Sequence, residues 1–335
     1  MTVVKKKTIK DVAELANVSI STVSNALNGV NVVTPETKQR VLKAAAELNY
    51  VPNLMGKQLR SGETKMLGFF TDSVSGPYFY VLVEAISRAV AKLGYGMQVI
   101  VPSDHKTLMN NILGNVVDGA IIFEHMINDD DIQQILMHSV PTVLLDRPAH
   151  GPKMSSFIFN SQAEGYEATK YLLNLGHRRL GFLAGYENNH DSHLRYAGFK
   201  QAIEEAGLNS DEMPVLSGLF EEEASYNAVK SYLHYADEPA TAFLAGNDLS
   251  AIGAMKAIVS LGYKVAEDFS VMGFDDIEIS QYFRPALTTV RNPIARQGIL
   301  AVDELLAMIN GRVGGTEQVL DGELVIRDST GFAKR

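Results

Sequence analysis

The chain has no cysteine among its 335 residues, which excludes disulfides, thiolate metal sites and cysteine nucleophiles. It has no apolar run of 18 residues or more, the length that reads as a membrane-crossing helix. Its first residues, MTVVKKKTIKD, follow lysines with polar groups where an export signal needs an apolar stretch. These absences lead to the expectation of a cytoplasmic protein with no membrane partner. Neither GxGxxG nor GxxxxGK[ST] occurs; SGETK lacks the phosphate-loop spacing, and GRVGG is expected to be a turn. There is no HExxH, and His190 and His193 in HDSH are the one close histidine pair, so neither a metal nor another cofactor is expected. Asp275 and Asp276 are neighbours at the end of an apolar run, a poor arrangement for two carboxylates acting on one scissile bond. No enzymatic activity is expected.

What is present is an ordinary globular composition, 46% apolar and 21% charged, in a chain long enough for two or three domains. The formal net charge of -9 conceals an asymmetry. Residues 1–60 carry nine lysines and arginines against four acids, and the rest carries 21 against 35. A basic head on an acidic body is compatible with nucleic-acid binding, because phosphate affinity depends on local charge.

Residues 8–50 read as three helices. The first, TIKDVAELAN, opens on Thr8 with Asp11 three residues on, a variant capping box, and buries Ile9, Val12, Ala13 and Ala16. Asn17 suits the left-handed turn that ends it. The second, SISTVSNALNG, is capped by Ser19, with Val18 placed to staple against Val23. Val23, Ala26 and Leu27 share its inner face, which leaves Ile20, Ser21, Ser24, Asn25 and Asn28 outward. The third opens on Thr34-Pro35 and buries Val41, Leu42, Ala45 and Leu48. Two short helices joined by a tight turn, with a third across them, form a helix-turn-helix, whose second helix enters the DNA major groove. A small bundle for protein contacts has the same pattern.

The stretches TIKDVAELANVSISTVSNALNG, VTPETKQRVLKAAAELNYVPN and KQLRSG resemble the lactose-repressor family of bacterial transcription regulators. The resemblance implies that Thr8, Ser19, Ile20, Ser21, Thr22, Ser24, Asn25, Asn28 and Thr37 face operator DNA. It also implies a hinge helix carrying Asn53, Gly56, Lys57 and Leu59, with Leu59 wedged into the minor groove, a known way to bend DNA. The alternative for Leu59 is a cap on the body's core. Many members have arginine where this chain has Asn25; asparagine pairs bidentately with adenine and arginine with guanine, so operator preference is expected to differ there.

From residue 66 short apolar runs alternate with amphipathic segments. The runs are 66–72, 96–101, 118–123, 141–146, 156–159, 179–185, 241–246, 269–275 and 287–290. Near-continuous apolar content predicts strands of parallel sheets buried on both faces, in two doubly wound halves. Polar residues recur at strand ends: Asp72, Asp146, Asn160, Asn247, Asp248, Asp275 and Asp276. Open α/β sheets bind ligands there, and carboxylates and amides suit a ligand rich in hydroxyls. Tyr78, Phe79 and Tyr80 offer an apolar wall. One of Asp275 and Asp276 is expected to cap a helix.

The resemblance continues through DGAII, VLLDRP, LGHRRLGFLAG, RYAGF, FLAGNDLSAIGAMKAI and VMGFDDIEIS. It implies a core like a periplasmic sugar-binding protein, with Phe79, Asp146, Phe159, Arg195, Asn247 and Asp275 at the effector, joined by Tyr78, Phe123 and Phe220. Core packing is the alternative for Phe159 and Phe220, and a surface salt bridge for Arg195. The segment before DGAII is shorter than in most of the family, which points to a truncated helix near residues 102–117. The C-terminal VIRDSTGFAKR holds no leucine heptad, so a homodimer is expected.

The sequence therefore predicts an all-α helix-turn-helix head (1–51), a hinge (52–63) and a periplasmic-binding-protein-like α/β core (64–335). The core's two doubly wound parallel-sheet subdomains are expected at about 64–159 with 292–321 and 160–291 with 322–330. The expected function is a repressor of sugar-utilisation genes, binding near-palindromic double-stranded DNA under control of a small-molecule effector, most simply a sugar. A purine or a phosphocarrier protein as effector is the alternative; a cytoplasmic sugar-binding protein or an enzyme leaves the head unexplained.

Overall fold

A computed structural model describes residues 7–28, 30, 32–51, 62–123 and 126–334. The chain divides into two compact units, residues 1–64 and 65–335. The expected hinge helix, with Asn53, Gly56, Lys57 and Leu59, lies outside the described residues.

The first unit holds α1 (Ile9–Ala16), α2 (Ile20–Leu27) and α3 (Pro35–Glu47). Each begins where its polar starter stands. The Thr8 N–H donates to Asp11 Oδ2 at 2.7 Å, Ser19 Oγ accepts from the Thr22 N–H at 3.1 Å, and Thr34 does the same for Thr37. Asn17 takes the left-handed conformation (φ 51°) that ends α1. Val12, Ala16, Val23, Ala26, Val41 and Ala45 make the core, with Val18 packed at its edge. Leu42 differs from expectation. It is exposed, because Val41, Ala44, Ala45 and Leu48 are spaced to share one face and Leu42 falls about 100° away.

The second unit contains two six-stranded sheets. The first orders β11-β5-β4-β3-β1-β2, with β1 Met66–Phe70, β2 Gly96–Ile100, β3 Gly119–Phe123, β4 Thr142–Leu145, β5 Met154–Phe159 and β11 Glu317–Leu320, all parallel. The second orders β12-β10-β9-β8-β6-β7, with β6 Leu180–Ala184, β7 Val215–Ser217, β8 Ala242–Ala245, β9 Ser270–Phe274, β10 Thr288–Arg291 and β12 Glu323–Val325. Only the β10–β12 pair is antiparallel. The nine apolar runs form nine of the strands: eight lie inside the sheets, and β2, only partly buried, is an edge strand. The three strands the sequence concealed, β7, β11 and β12, are short, mostly exposed and at or near sheet edges.

Helices fill the crossovers: α4 (Pro77–Lys92), α5 (His105–Leu113), α6 (Asp129–Met137), α7 (Ser161–Asn174), α8 (His190–Glu205), α9 (Glu222–Tyr235), α10 (Asp248–Ser260) and α11 (Ile294–Ile309). The short segment near 102–117 still forms a nine-residue helix, α5, capped by Asp104. The chain passes between sheets three times, after β5, β10 and β11. Asn160 at the first passage donates to Asp321 at the third (2.9 Å). α7 and α8 cross at Gly165 and Gly198: a Cβ on Gly198 would lie 2.1 Å from the Gln162 carbonyl oxygen, and one on Gly165 would lie 2.4 Å from that of Arg195.

Candidate functional site

In the first unit Ile20 and Ser21 at the start of α2 are exposed, and Asn25 is half-buried one turn on. Thr22 is half-buried, its Oγ1 2.8 Å from Ser19 Oγ, and Ser19 Oγ also lies 2.7 Å from Ser21 Oγ. Ser24 is a correction: it is buried, 4% exposed, not on the outward face. It lies three residues before Leu27, so the buried stripe extends over it, and Asn28 Nδ2 donates to its carbonyl (2.8 Å) and to its hydroxyl (3.3 Å). Asn28 therefore spends its amide closing the helix. Thr8 and Thr37 stand at the starts of α1 and α3, tied to Asp11 and Thr34. Lys7, Lys10, Lys38, Arg40 and Lys43 are exposed, which leaves their charge available to phosphates.

In the second unit the polar strand ends converge. Strand order reverses beside β1 in one sheet and β6 in the other, where crevices open at the carboxyl ends of parallel strands. Asp146, just beyond β4, is buried and carries three bonds. Its Oδ1 accepts from the Phe159 N–H (2.9 Å) and Gln297 Nε2 (2.8 Å), and its Oδ2 from the Tyr78 hydroxyl (3.2 Å). Burial, with the charge of Asp191 added, pushes its carboxyl up to about 7 against these bonds. The Tyr78 phenol is raised as well, by burial and then by Asp146. Tyr78, Phe79 and Phe123 pack edge to face with centroids 5.3–5.8 Å apart. Tyr80 does not join them and is exposed, one residue round the helix from Phe79.

Arg195, on α8, is buried rather than on the surface. Its Nη1 donates to the Gly246 carbonyl (2.5 Å), its Nη2 lies 3.5 Å from Asp191 and 3.9 Å from Asp275, and its guanidinium stacks near Phe274 and Phe159 (4.7 and 5.7 Å). Asp275 follows β9 in a left-handed conformation (φ 102°), and burial raises its carboxyl while Arg195 opposes the shift. Phe220 lies against Gly185 and Gly246, where a Cβ would overlap its ring.

Two expectations change here. Asn247 is brought to the region but spends its amide locally: Oδ1 caps α10 through the Ser250 N–H (2.9 Å), and Nδ2 donates to the Phe220 carbonyl (3.1 Å). Neither Asp275 nor Asp276 caps a helix. Asp276 pairs with Arg291 (2.8 Å) and Arg327 (2.5 Å), while Asp248 takes the Ile277 N–H (2.9 Å) and the hydroxyls of Ser280 and Thr289 (both 2.6 Å).

Sequence reasoning missed Asp191, Phe274, Asn292 and Gln297. Asp191 stood in the HDSH stretch weighed only for metal binding, four residues before Arg195; that spacing was its available signal. Asn292 follows β10 at the second passage, and Gln297 sits on α11, whose pattern gives no hint that one glutamine is buried.

Fold and site together define a helix-turn-helix unit joined to a two-sheet core of the periplasmic-binding-protein type. Residues 8–53 match the bacterial regulatory proteins of the lacI family, and residues 169–330 match a periplasmic binding protein-like domain. The HTH-type transcriptional repressor PurR of Haemophilus influenzae is 32% identical over 333 residues, 96% of this chain and 98% of the relative. The lac repressor dimer bound to operator and the anti-inducer ONPF is 30% identical with a TM-score of 0.79, covering 98% of this chain and 100% of that one. The transcriptional regulator CelR in complex with cellobiose is 26% identical with a TM-score of 0.69, over 97% and 100% of the two chains. The chain belongs to the lacI family and is a transcriptional regulator.

Proposed function

We propose that the chain is a cytoplasmic homodimeric repressor whose hold on a near-palindromic operator is set by a polyhydroxylated effector of the sugar class. The carrying observation is the convergence of Asp146, Asp191, Arg195 and Asp275 from both halves of the core beside Tyr78, Phe79, Phe123 and Phe159. Apolar walls with a few directed polar groups suit a small ligand, and carboxylates and guanidinium together hold hydroxyls from both sides. Ile20, Ser21 and Asn25 are the base-reading residues of the reading, with Asn53, Gly56, Lys57 and Leu59 forming the hinge. Effector binding changes the relation of the two halves and so the order of the hinge; a coupling of about 1–3 kcal/mol shifts operator affinity about 5–150-fold.

A second reading, a purine effector, is favoured by the PurR relatives. One titration separates the two: gel shifts on the gene's own upstream DNA with hexoses, pentoses and purine bases, beside melting curves with the same compounds. A sugar that changes both readouts supports the first reading, and a response to purines alone replaces it with the second. Deleting residues 1–61 is expected to abolish DNA binding and to preserve effector-induced stabilisation; loss of both overturns the division into head, hinge and core.

A further inference from the structure

Among the described residues the acids of the cleft outnumber the cations. The charge of Asp191 acts on both Asp146 and Asp275, and all three act on Tyr78. Arg195 is shared between Asp191 and Asp275 at 3.5 and 3.9 Å. Asp146 is held by neutral donors alone, the Phe159 N–H, the Gln297 amide and the Tyr78 hydroxyl. Crowding three carboxyl groups around one guanidinium is unfavourable unless a proton or a cation arrives; the raised carboxyl of Asp146 shows the proton's share, and a bound cation would take its place. Among the described residues no three acids or histidines are placed to hold a metal ion.

Asn292 faces Asp275 closely enough to lower its carboxyl; apart from that contact, the buried atoms Asp275 Oδ1, Gln297 Oε1, both polar atoms of Asn292 and Arg195 Nε find no hydrogen-bond partner among the described groups. These residues are 8%, 1%, 5% and 3% exposed. Three of the five atoms accept only and two, Arg195 Nε and Asn292 Nδ2, donate only, so their complement is a set of hydroxyls, which both donate and accept. Orphan groups this deep are costly unless something pairs with them. At the carboxyl groups an ammonium supplies three donors and no acceptor, and Tyr78, bonded to Asp146 through its hydroxyl, adds an aromatic neighbour.

We infer that the effector carries a protonated amine beside its hydroxyls, as an amino sugar does, with the ammonium at the Asp146–Asp191 pair and the hydroxyls at Asp275, Asn292, Gln297 and Arg195. This rests on the reading of the cleft as an effector site and names the ligand's charge. Asp191 is the determinant: its Oδ1 accepts from Ser161 (2.9 Å) and its Oδ2 faces Arg195, so it is fixed by both neighbours.

The test uses the full-length protein and matched trios: glucosamine, galactosamine and mannosamine, each with its parent hexose and its N-acetyl derivative. Melting curves and calorimetric titration should show at least one amine binding about tenfold or more tightly than both neutral counterparts, the size of one charge-assisted hydrogen bond. That binding should weaken with added salt. Asp191→Asn, which keeps the acceptor for Ser161, should bring the amine to the level of its neutral parent, with circular dichroism and a cooperative melt of the unliganded variant reporting an intact fold. A hexose or N-acetyl sugar binding as tightly as its amine overturns the inference and leaves the sugar reading standing. Purine binding with no amine response overturns both. No shift with any of the amines overturns the inference, and the salt dependence in the unmodified protein decides the matter if Asp191→Asn does not fold.

Discussion

Arg195 Nη2 lies 3.9 Å from Asp275 Oδ1, an ion pair with no hydrogen bond in it. Arg195 is anchored elsewhere, by Nη1 on the Gly246 carbonyl, and Asp275 is held by the backbone turn after β9. Each is positioned independently of the other, so their facing atoms remain available to a third group. Asp275→Asn keeps the shape and removes the charge. It is expected to fold and bind operator DNA while losing its response to effector, measured by gel shift with and without ligand; an unchanged response removes Asp275 from the site.

Asp146 ties pH to stability. Its carboxyl titrates near 7 in the folded protein against an ordinary value of 3.8. Between those values the folded state holds a proton that the unfolded state has lost, so this group's contribution falls as pH rises from about 4 to about 7 and is gone above that. Asp146→Asn can keep the Phe159 and Gln297 bonds and donate to Tyr78. Its stability relative to the unmodified protein should therefore climb over the same interval and level off above it. Urea unfolding at about pH 5, 6, 7 and 8 measures this; a constant difference refutes it.

Gly198 sets where Arg195 stands. With the Gln162 carbonyl 2.1 Å from any added Cβ, Gly198→Ala forces α7 and α8 apart. A cost of about 1–3 kcal/mol is expected, together with weaker effector binding, because Arg195 rides on α8. Denaturant melts and ligand titration would show the two losses together. An alanine variant as stable as the parent contradicts the tight crossing.

In α2 the two polar neighbours separate by burial. Ser24→Ala is expected to cost about 1 kcal/mol of stability and to leave base preference unchanged, since Ser24 is enclosed. Asn25→Arg should move preference at one base pair from adenine toward guanine. Selection from randomised DNA with both variants checks this. A Ser24→Ala variant with altered base preference would return that residue to the reading face.

Asp248 carries a structural load that its neighbour Asn247 does not reveal. Its carboxyl group gathers the Ile277 N–H and the Ser280 hydroxyl from the turn after β9 and the Thr289 hydroxyl from β10. Asp248→Ala leaves those donors buried and unpaired, and a loss of about 3 kcal/mol or more is expected in urea melts. A loss under about 1 kcal/mol would mean that the donors find other partners.

Local patterns carried much of this protein. Caps at Thr8, Ser19 and Thr34, the left-handed Asn17 and the apolar spacing of α1–α3 are short-range devices that act within four residues, so the head was legible from its sequence. The eight inner strands were legible for a similar reason, because burial on both faces demands unbroken apolar runs, and the edge strand β2 was legible because it too is apolar although only partly buried. Strands β7, β11 and β12 were not, since short, exposed strands follow no such demand.

The site divided along the same line. Asp146, Arg195 and Asp275 stand at strand ends or in the stretches that carry the family resemblance, and could be named in advance. Asn292 and Gln297 became part of the cleft only because the chain crosses between sheets and lays α11 against β5. Ser24 and Asp276 were misread because one neighbouring turn, or two distant arginines, decided their surroundings. Sequence determined which segments are helices, strands and caps, because those choices are made by near neighbours. Which polar atoms end up buried, paired or left facing one another was decided by tertiary packing, which alone brings together residues more than a hundred positions apart.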